Sequence, residues 1–280
     1  MAILNLKKLI SFLTFSSIVV NSMFAQSIFS VIHLNDKEDI QHGDAKYITW
    51  KLTDFKPEGT SISKGSKSLN SNNQAIYDFE DDVNNNSWQS VVTTDFNSIT
   101  GLVQSRTYNR QHVSGDLILE NQIFKYDSSN FITEIFTTDK DGKIYLHTLI
   151  KNNYKGLPIE LISYDADGTL IEYCERAEYH FEDNVYISKI YSTDGVLLSS
   201  NKEVLDFNNN YKFKNSENEY NESGDLIKSY ISKDGYILHT YKYDEHSNWI
   251  EYHVYEVTFS KKGKEKKNLI TIYKRHIEYW

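Results

Sequence analysis

Cysteine is nearly absent from this chain: Cys174 is the only one in 280 residues. A single thiol closes no intrachain disulfide, so stability has to come from packing and strand pairing. Cys174 itself reads as a buried small apolar residue, with an intermolecular bridge as the alternative. Basic residues are also short, at 30 Lys and Arg against 39 Asp and Glu, a net charge of −9. That balance excludes a general nucleic-acid binder, whose phosphates demand a basic footprint. Beyond the N-terminus no apolar run reaches the length of a membrane-spanning helix. Nor does any stretch longer than two turns join a helical period to capping residues, so helices are expected to be minor.

The usual catalytic signatures are missing as well. There is no Gly-x-Ser-x-Gly turn and no Gly-rich phosphate loop leading into a helix. The nine histidines include no His-x-x-x-His on a helical stretch, and Cys174 lacks the surroundings of a cysteine nucleophile. Acid runs such as Glu80-Asp81-Asp82 are ordinary in an acidic loop. A glycosidase would need two carboxylates at a set separation in a cleft, which a sequence does not display. Asp165-Ala166-Asp167-Gly168 and Asp139-Lys140-Asp141-Gly142 are fragments of calcium-loop spacing that lack the further oxygen ligands. No cofactor and no metal is assigned.

What is present begins with an N-terminal leader pattern. Lys7 and Lys8 precede a short apolar run from Leu9 to Val20, and Ser22-Met23-Phe24-Ala25 supplies small residues for processing. Residues 1–25 are expected to be a signal peptide, cleaved after Ala25 or Gln26, with an uncleaved anchor as the alternative. No cysteine lies near the junction, which excludes a lipoprotein anchor. Loss of Lys7 and Lys8 takes the net charge from −9 to −11. The expected location is secreted or periplasmic, with no transmembrane segment after cleavage.

Aromatic residues are plentiful, with 21 tyrosines beside only two prolines, Pro57 and Pro158. Tyrosine suits strands, where the ring packs while the hydroxyl reaches water or a partner. Residues 26–90 are expected to be an irregular N-terminal region with the first strands. Within it Tyr47 to Leu52 alternates as a strand does, and 56–74 reads as a loop or mobile link from its Lys, Gly, Ser and Asn content. Tyr77-Asp78-Phe79-Glu80-Asp81-Asp82 and the asparagines at 84–86 read as an exposed turn region.

From 91 to 280 the chain is periodic. Candidate turn ends fall at Gly101, Gly115, Asn130, Gly142, Gly156, Gly168, Asn184, Gly195, Asn210, Gly224, Gly235, Asn248 and Gly263, at separations of 11 to 16 residues. Each interval holds one strand and a short turn, the mark of an all-β array. An early Asp or Asn closes each turn by accepting a backbone N–H two residues on. Gly or Asn at the end tolerates positive φ. Between Thr169 and Phe181, Ile171, Tyr173, Ala177, Tyr179 and Phe181 share one face; Glu172, Cys174, Arg176, Glu178 and His180, with Leu170, share the other. Near the end Trp249, His253, Tyr255 and Val257 are expected opposite Ile250, Tyr252 and Val254.

The recurring unit is clearest at Tyr243-Asp244-Glu245-His246-Ser247-Asn248-Trp249-Ile250. It returns at Tyr126-Asp127-Ser128-Ser129-Asn130, from Tyr164 to Gly168 and from Tyr220 to Gly224. With the closing Tyr273-Lys274-Arg275-His276-Ile277-Glu278-Tyr279, these turns resemble the YD (RHS-type) repeats of exported bacterial proteins, in a short secreted form. The resemblance covers roughly 91–280 and implies long β-hairpin sheets that curl around cargo or present a binding surface. Several units depart from it, such as Ser232-Lys233-Asp234-Gly235 and Phe181-Glu182-Asp183-Asn184, and no toxin domain follows. The fold expected is therefore all-β: tandem antiparallel β-hairpin repeats forming a curved open sheet or a small barrel-like wrap.

His246 and Trp249 are the two residues of the Tyr243 turn that its relatives lack. His239 and His253 lie on the flanking strands, where roughly opposite pairing would bring them together. A metal there would need a third ligand such as Glu251, and cross-strand packing explains the pair without one. The lysines 261, 262, 264, 266 and 267 read as a solvated hairpin loop, or as an attraction for an anionic surface or polysaccharide. The candidate binding surface is thus Tyr243, His246, Trp249, His239 and His253. The expected function is a non-catalytic scaffold or recognition surface of the cell envelope, for carbohydrate or another envelope protein. An envelope hydrolase acting on glycans is the alternative.

Overall fold

The computed structural model describes residues 26–82, 88–112, 114–115, 117–183, 185–204, 218–232, 235–260 and 263–280. The expected leader at 1–25, the asparagines at 84–86, the turn ends Asn184 and Asn210, and the lysines 261 and 262 lie outside the described residues. After a short helix α1 (Ile28–Ile32), seventeen strands follow. They run β1 (Ala45–Lys56), β2 (Gly59–Leu69), β3 (Ala75–Asp82), β4 (Trp88–Phe96), β5 (Val103–His112) and β6 (Leu117–Tyr126). Next come β7 (Ile132–Thr138), β8 (Ile144–Asn152), β9 (Pro158–Asp165), β10 (Leu170–His180), β11 (Val185–Ser192) and β12 (Leu197–Val204). The last are β13 (Glu219–Tyr220), β14 (Leu226–Ser232), β15 (Gly235–Tyr243), β16 (Trp249–Phe259) and β17 (Glu265–Tyr279). The all-β expectation holds.

Every pairing is antiparallel. Neighbours in sequence pair from β1 to β12 and from β13 to β17, and β17 returns to pair with β1. No register joins β12 to β13 among the described residues, and the sheet is open there. Residues 56–74 are mostly strand rather than loop: β2 is paired on both sides, with β1 and β3. The 77–82 segment is likewise strand, in β3. A polar composition does not forbid a strand whose backbone groups are satisfied by two neighbours.

The turns share one rule. Asp127, Asp139, Asn153, Asp165 and Asp244 each accept, through Oδ1, the N–H groups two and four residues on. Positive φ then falls three residues after the capping side chain, at Asn130, Gly142, Gly156, Gly168 and Ser247. In the Tyr243 turn this corrects the expected end: Ser247, not Asn248, takes the left-handed conformation, at φ 60°. Gly235, another expected turn end, is the first residue of β15 and is not among the positive-φ residues.

A strap of residues 26–44 crosses the inner face. Ile28 N–H donates to Glu175 Oε2 on β10 at 2.7 Å, and Gln41 N–H donates to Asn248 Oδ1 at the β15–β16 turn at 2.6 Å. The thirteen residue steps between them reach about 45 Å at most, and less with α1 among them. Eleven strand spacings separate β10 from β16 in the flat sheet, roughly 53 Å. The sheet must therefore curve around the strap. Ile28, Val31 and Leu34 pack with Val103, Phe124, Ile135, Leu161 and Tyr186 in one core, while Ile40 packs on a second core of Ala45, Ile48, Leu69 and Ile277. Hydrophobic burial on this face explains the alternation, and consecutive buried pairs such as Val185–Tyr186 and Tyr236–Ile237 mark strands covered on both sides.

Candidate functional site

Displacement of the positive φ to Ser247 frees Asn248 for another task. Its side chain is fully buried and makes four hydrogen bonds. Oδ1 accepts from Gln41 N–H at 2.6 Å and His42 N–H at 3.2 Å; Nδ2 donates to His42 O and to Tyr279 Oη, each at 2.7 Å. The Tyr279 hydroxyl also donates to Asp244. Burial works to raise the Asp244 carboxyl, but the bonds from Tyr279 and from the Asn248 and His246 N–H groups outweigh it and hold it below the usual range. Burial and that same bond push the Tyr279 phenol up to about 12. His246 lies against the Tyr279 ring with centroids 4.1 Å apart. The turn that looked like a motif is an anchor for the strap.

His239 and His253 do not meet. The register sets His239 opposite Val254 and His253 opposite Thr240, so the two rings point to opposite faces. His239 is 5% exposed, its Nε2 has no hydrogen-bond partner among the described residues, and burial lowers its pKa to about 4. His253 instead contacts Glu251 Oε1 at 2.6 Å and Tyr255 Oη at 3.1 Å. No group of three or more metal-ligating side chains exists among the described residues. The calcium-like acids are occupied by their own turns, Asp165 by Asp167 and Thr169 N–H groups and Asp167 by Thr169.

Trp249 and Tyr252, expected on opposite faces, come together. A β-bulge where Tyr243 pairs with Trp249 shifts the register, and the two rings meet edge-on at 5.1 Å. From there a ring strip crosses the strands. Tyr252 stacks on Tyr273 at 5.4 Å and 6°, Tyr273 on Trp50 at 5.8 Å, and Tyr241 packs on Tyr252 at 5.7 Å. The Arg275 guanidinium lies 3.5 Å from the Trp249 ring centroid, and Trp249 Nε1 donates to Asp39 of the strap at 3.0 Å. Burial lowers the Arg275 pKa, raises that of Tyr273 and pushes Tyr252 up to about 12. The hydroxyls of Tyr241 and Tyr243 are bonded to Leu226 O and Asp225. Those of Tyr252 and Tyr273 have no hydrogen-bond partner among the described residues, and both rings remain half-buried. Trp50 is possible in this strip because Gly65 faces it: a Cβ there would sit 2.7 Å from the indole.

The other half of the inner face holds a partly open cavity of about 470 Å³ between the strap and β3–β8. Arg106 spans its wall, donating to Leu34 O at 3.1 Å and Thr94 Oγ1 at 3.3 Å. Tyr145 donates to Glu120, and Lys67 donates to Glu38 at 2.7 Å with Asp78 at 3.3 Å. Burial raises the Asp78 carboxyl against the pull of Lys67, and burial with the neighbouring Asp78 raises Glu80.

No family model matches the chain, and no curated protein matches it. Among solved structures it is similar to a porin-like protein from Bacteroides uniformis, at 9% identity and TM-score 0.40, over 84% of this chain and 96% of that one. It is also similar to the structure of TcdB2-TccC3-Cdc42, at 10% identity and TM-score 0.25, over 78% of this chain and 16% of that one. The Photorhabdus luminescens Tc holotoxin pore gives 13% identity and TM-score 0.22, over 81% and 15%. These likenesses are too distant to assign a function.

Of the five expected surface residues, Tyr243 and Trp249 join the ring strip, and His246 joins the anchor. His239 and His253 belong to neither. Tyr252, Tyr273, Trp50 and Arg275 were not singled out in sequence. Period-two alternation in the closing strand could have marked Tyr273 and Arg275 as sharing a face. Nothing local reveals that Trp50 lies two strands from Tyr252, because the β1–β17 pairing joins the ends of the array.

Proposed function

We propose that the chain is an exported, non-catalytic β-repeat protein of the YD (RHS-type) kind that serves as a recognition scaffold in the bacterial cell envelope. Its ligand is carbohydrate. The observation that carries this reading is the Tyr252–Tyr273 stack, half-buried with neither hydroxyl hydrogen-bonded among the described residues. Flat rings offer large rigid contact area at low entropic cost, and free hydroxyls add directional bonding. The leader pattern at 1–25 supports export, and the recurring Asx turns support the repeat kinship.

A glycan array probed with the purified chain tests the ligand class. Binding to a subset of glycans is expected, with Tyr252→Ala and Tyr273→Ala each weakening it about tenfold. Uniformly negative arrays remove carbohydrate. Retention of the chain by another envelope protein, with the same loss in both variants, would move the reading to protein recognition.

A further inference from the structure

On the outer face of the strands that carry the ring strip, three lysines stand side by side. Register sets Lys51 of β1 directly opposite Lys274 of β17 on one side and Lys64 of β2 on the other. Alternation turns all three away from the inner face, where their chain neighbours Trp50 and Arg275 lie. Like charges directly opposite one another destabilise a sheet. The outer two are partly offset, Lys274 by Glu251 at 3.5 Å and Lys64 by Asp81 at 3.4 Å. Lys51, between them, is exposed and makes no ion pair among the described residues. Sheet formation alone gives no reason for a third cation there.

The row lines an open groove of about 520 Å³. The next row adds Thr49, Ser66 and His276 to the same groove, again by direct pairing across β17, β1 and β2. Three ammonium groups, two hydroxyls and an imidazole thus converge on one space. Ammonium and hydroxyl donors in that number match the oxygens of a phosphate.

The borders set the size of the anion. The lysine row spans two strand spacings, about 10 Å, and ends at Glu251 and Asp81. Glu278 stands two residues beyond His276, and on the far side the row of Ile62, Thr53 and Ile272 carries no charge. A long polyanion would run off the lysines onto acids, in a chain of net charge −9. A carboxylate would bring a single charge to three cations. A phosphomonoester brings nearly two charges and three strong acceptor oxygens. We propose that this groove binds a phosphomonoester group, with Lys51 at its centre. The site faces away from the ring strip and rests neither on the carbohydrate reading nor on export.

Calorimetric titration of the folded chain with glycerol phosphate and glucose phosphate at low ionic strength tests it. Flotation with phosphatidylcholine vesicles containing phosphatidic acid is the parallel arm. Binding of a soluble ester places the group on a small molecule, and binding of the vesicles alone places it on a lipid headgroup. Lys51→Gln should weaken binding about tenfold. Lys56→Gln removes the same charge at the end of β1, outside the groove, and should leave binding unchanged. In the free chain Lys51→Gln should raise the thermal midpoint by about 1–2 °C, because a repulsion is relieved. The proposal is overturned if neither the esters nor the vesicles bind, or if the two variants weaken binding equally. A DNA oligonucleotide that binds more tightly than either ester would also overturn it, as would a fall in the free midpoint of Lys51→Gln.

Discussion

Across β15, β16, β17 and β1 the inner face is lined with rings, whereas across β3 to β8 it holds a partly open cavity. The turns and ladders are of one kind in both halves, and one strap covers both. What differs is how the strap is held. In the ring half it is fixed by Asn248, Arg275 and Trp249. In the cavity half Ile28, Val31 and Leu34 pack on Val103, Phe124 and Ile135, and Arg106 and Lys67, long side chains, bridge the gap beside that contact. A repeat that builds only the sheet thus leaves the inner face free to be filled or hollow, and the choice rests on side-chain length.

The sharpest way to break this contrast is Asn248→Ala, which strands the Gln41 and His42 amides and the His42 carbonyl in a buried site. A loss of about 3–4 kcal/mol is expected from urea unfolding. Hydrogen exchange should accelerate at 41–42 and not in β5–β7. A loss below about 1 kcal/mol would mean the strap is held elsewhere.

Acid should act on the ring half first. The folded state keeps His239 neutral, with a pKa near 4 against an ordinary 6.5. As pH falls below 6.5 the unfolded chain takes up the proton first. Stability from this group is therefore full above that pH and drains as pH falls toward about 4, by roughly 3 kcal/mol in all. His239→Leu should flatten that limb in a pH series of unfolding midpoints, and an unchanged limb in the variant would acquit His239.

A smaller change sharpens the comparison at the turn. Ser247 pays for a positive φ that glycine adopts freely, so Ser247→Gly should stabilise the chain by about 0.5–1 kcal/mol. The thermal midpoint should rise accordingly. A fall would contradict the placement of the left-handed residue.

Much of the architecture was legible in the sequence because Asx turns are local chemistry. The spacing of Asp127, Asp139 and Asp165 to their glycine or asparagine partners already specifies hairpins. It misled at Asn248 because Gly or Asn was sought at the turn end, whereas the rule runs from the capping acid and lands on Ser247. Strand β2 was hidden by its Lys and Ser content, since the bonds that hold it belong to β1 and β3. The histidine pair failed by one residue of register, which in a sheet reverses a side chain. The ring strip needed both a bulge and the union of β1 with β17, and neither leaves a local trace. The cavity depends on a strap whose own sequence shows no period.

That union has a mechanical consequence. Ala45 pairs with Tyr279, and Trp280 N–H donates to Asp44 O at 3.1 Å, so the two ends of the sheet-forming chain leave from the same end of one antiparallel pair. Tension applied at those ends would load the β1–β17 rungs one after another, like a zipper, rather than all together in shear. The seam that joins the array into one sheet is also the line along which a modest pull would open it.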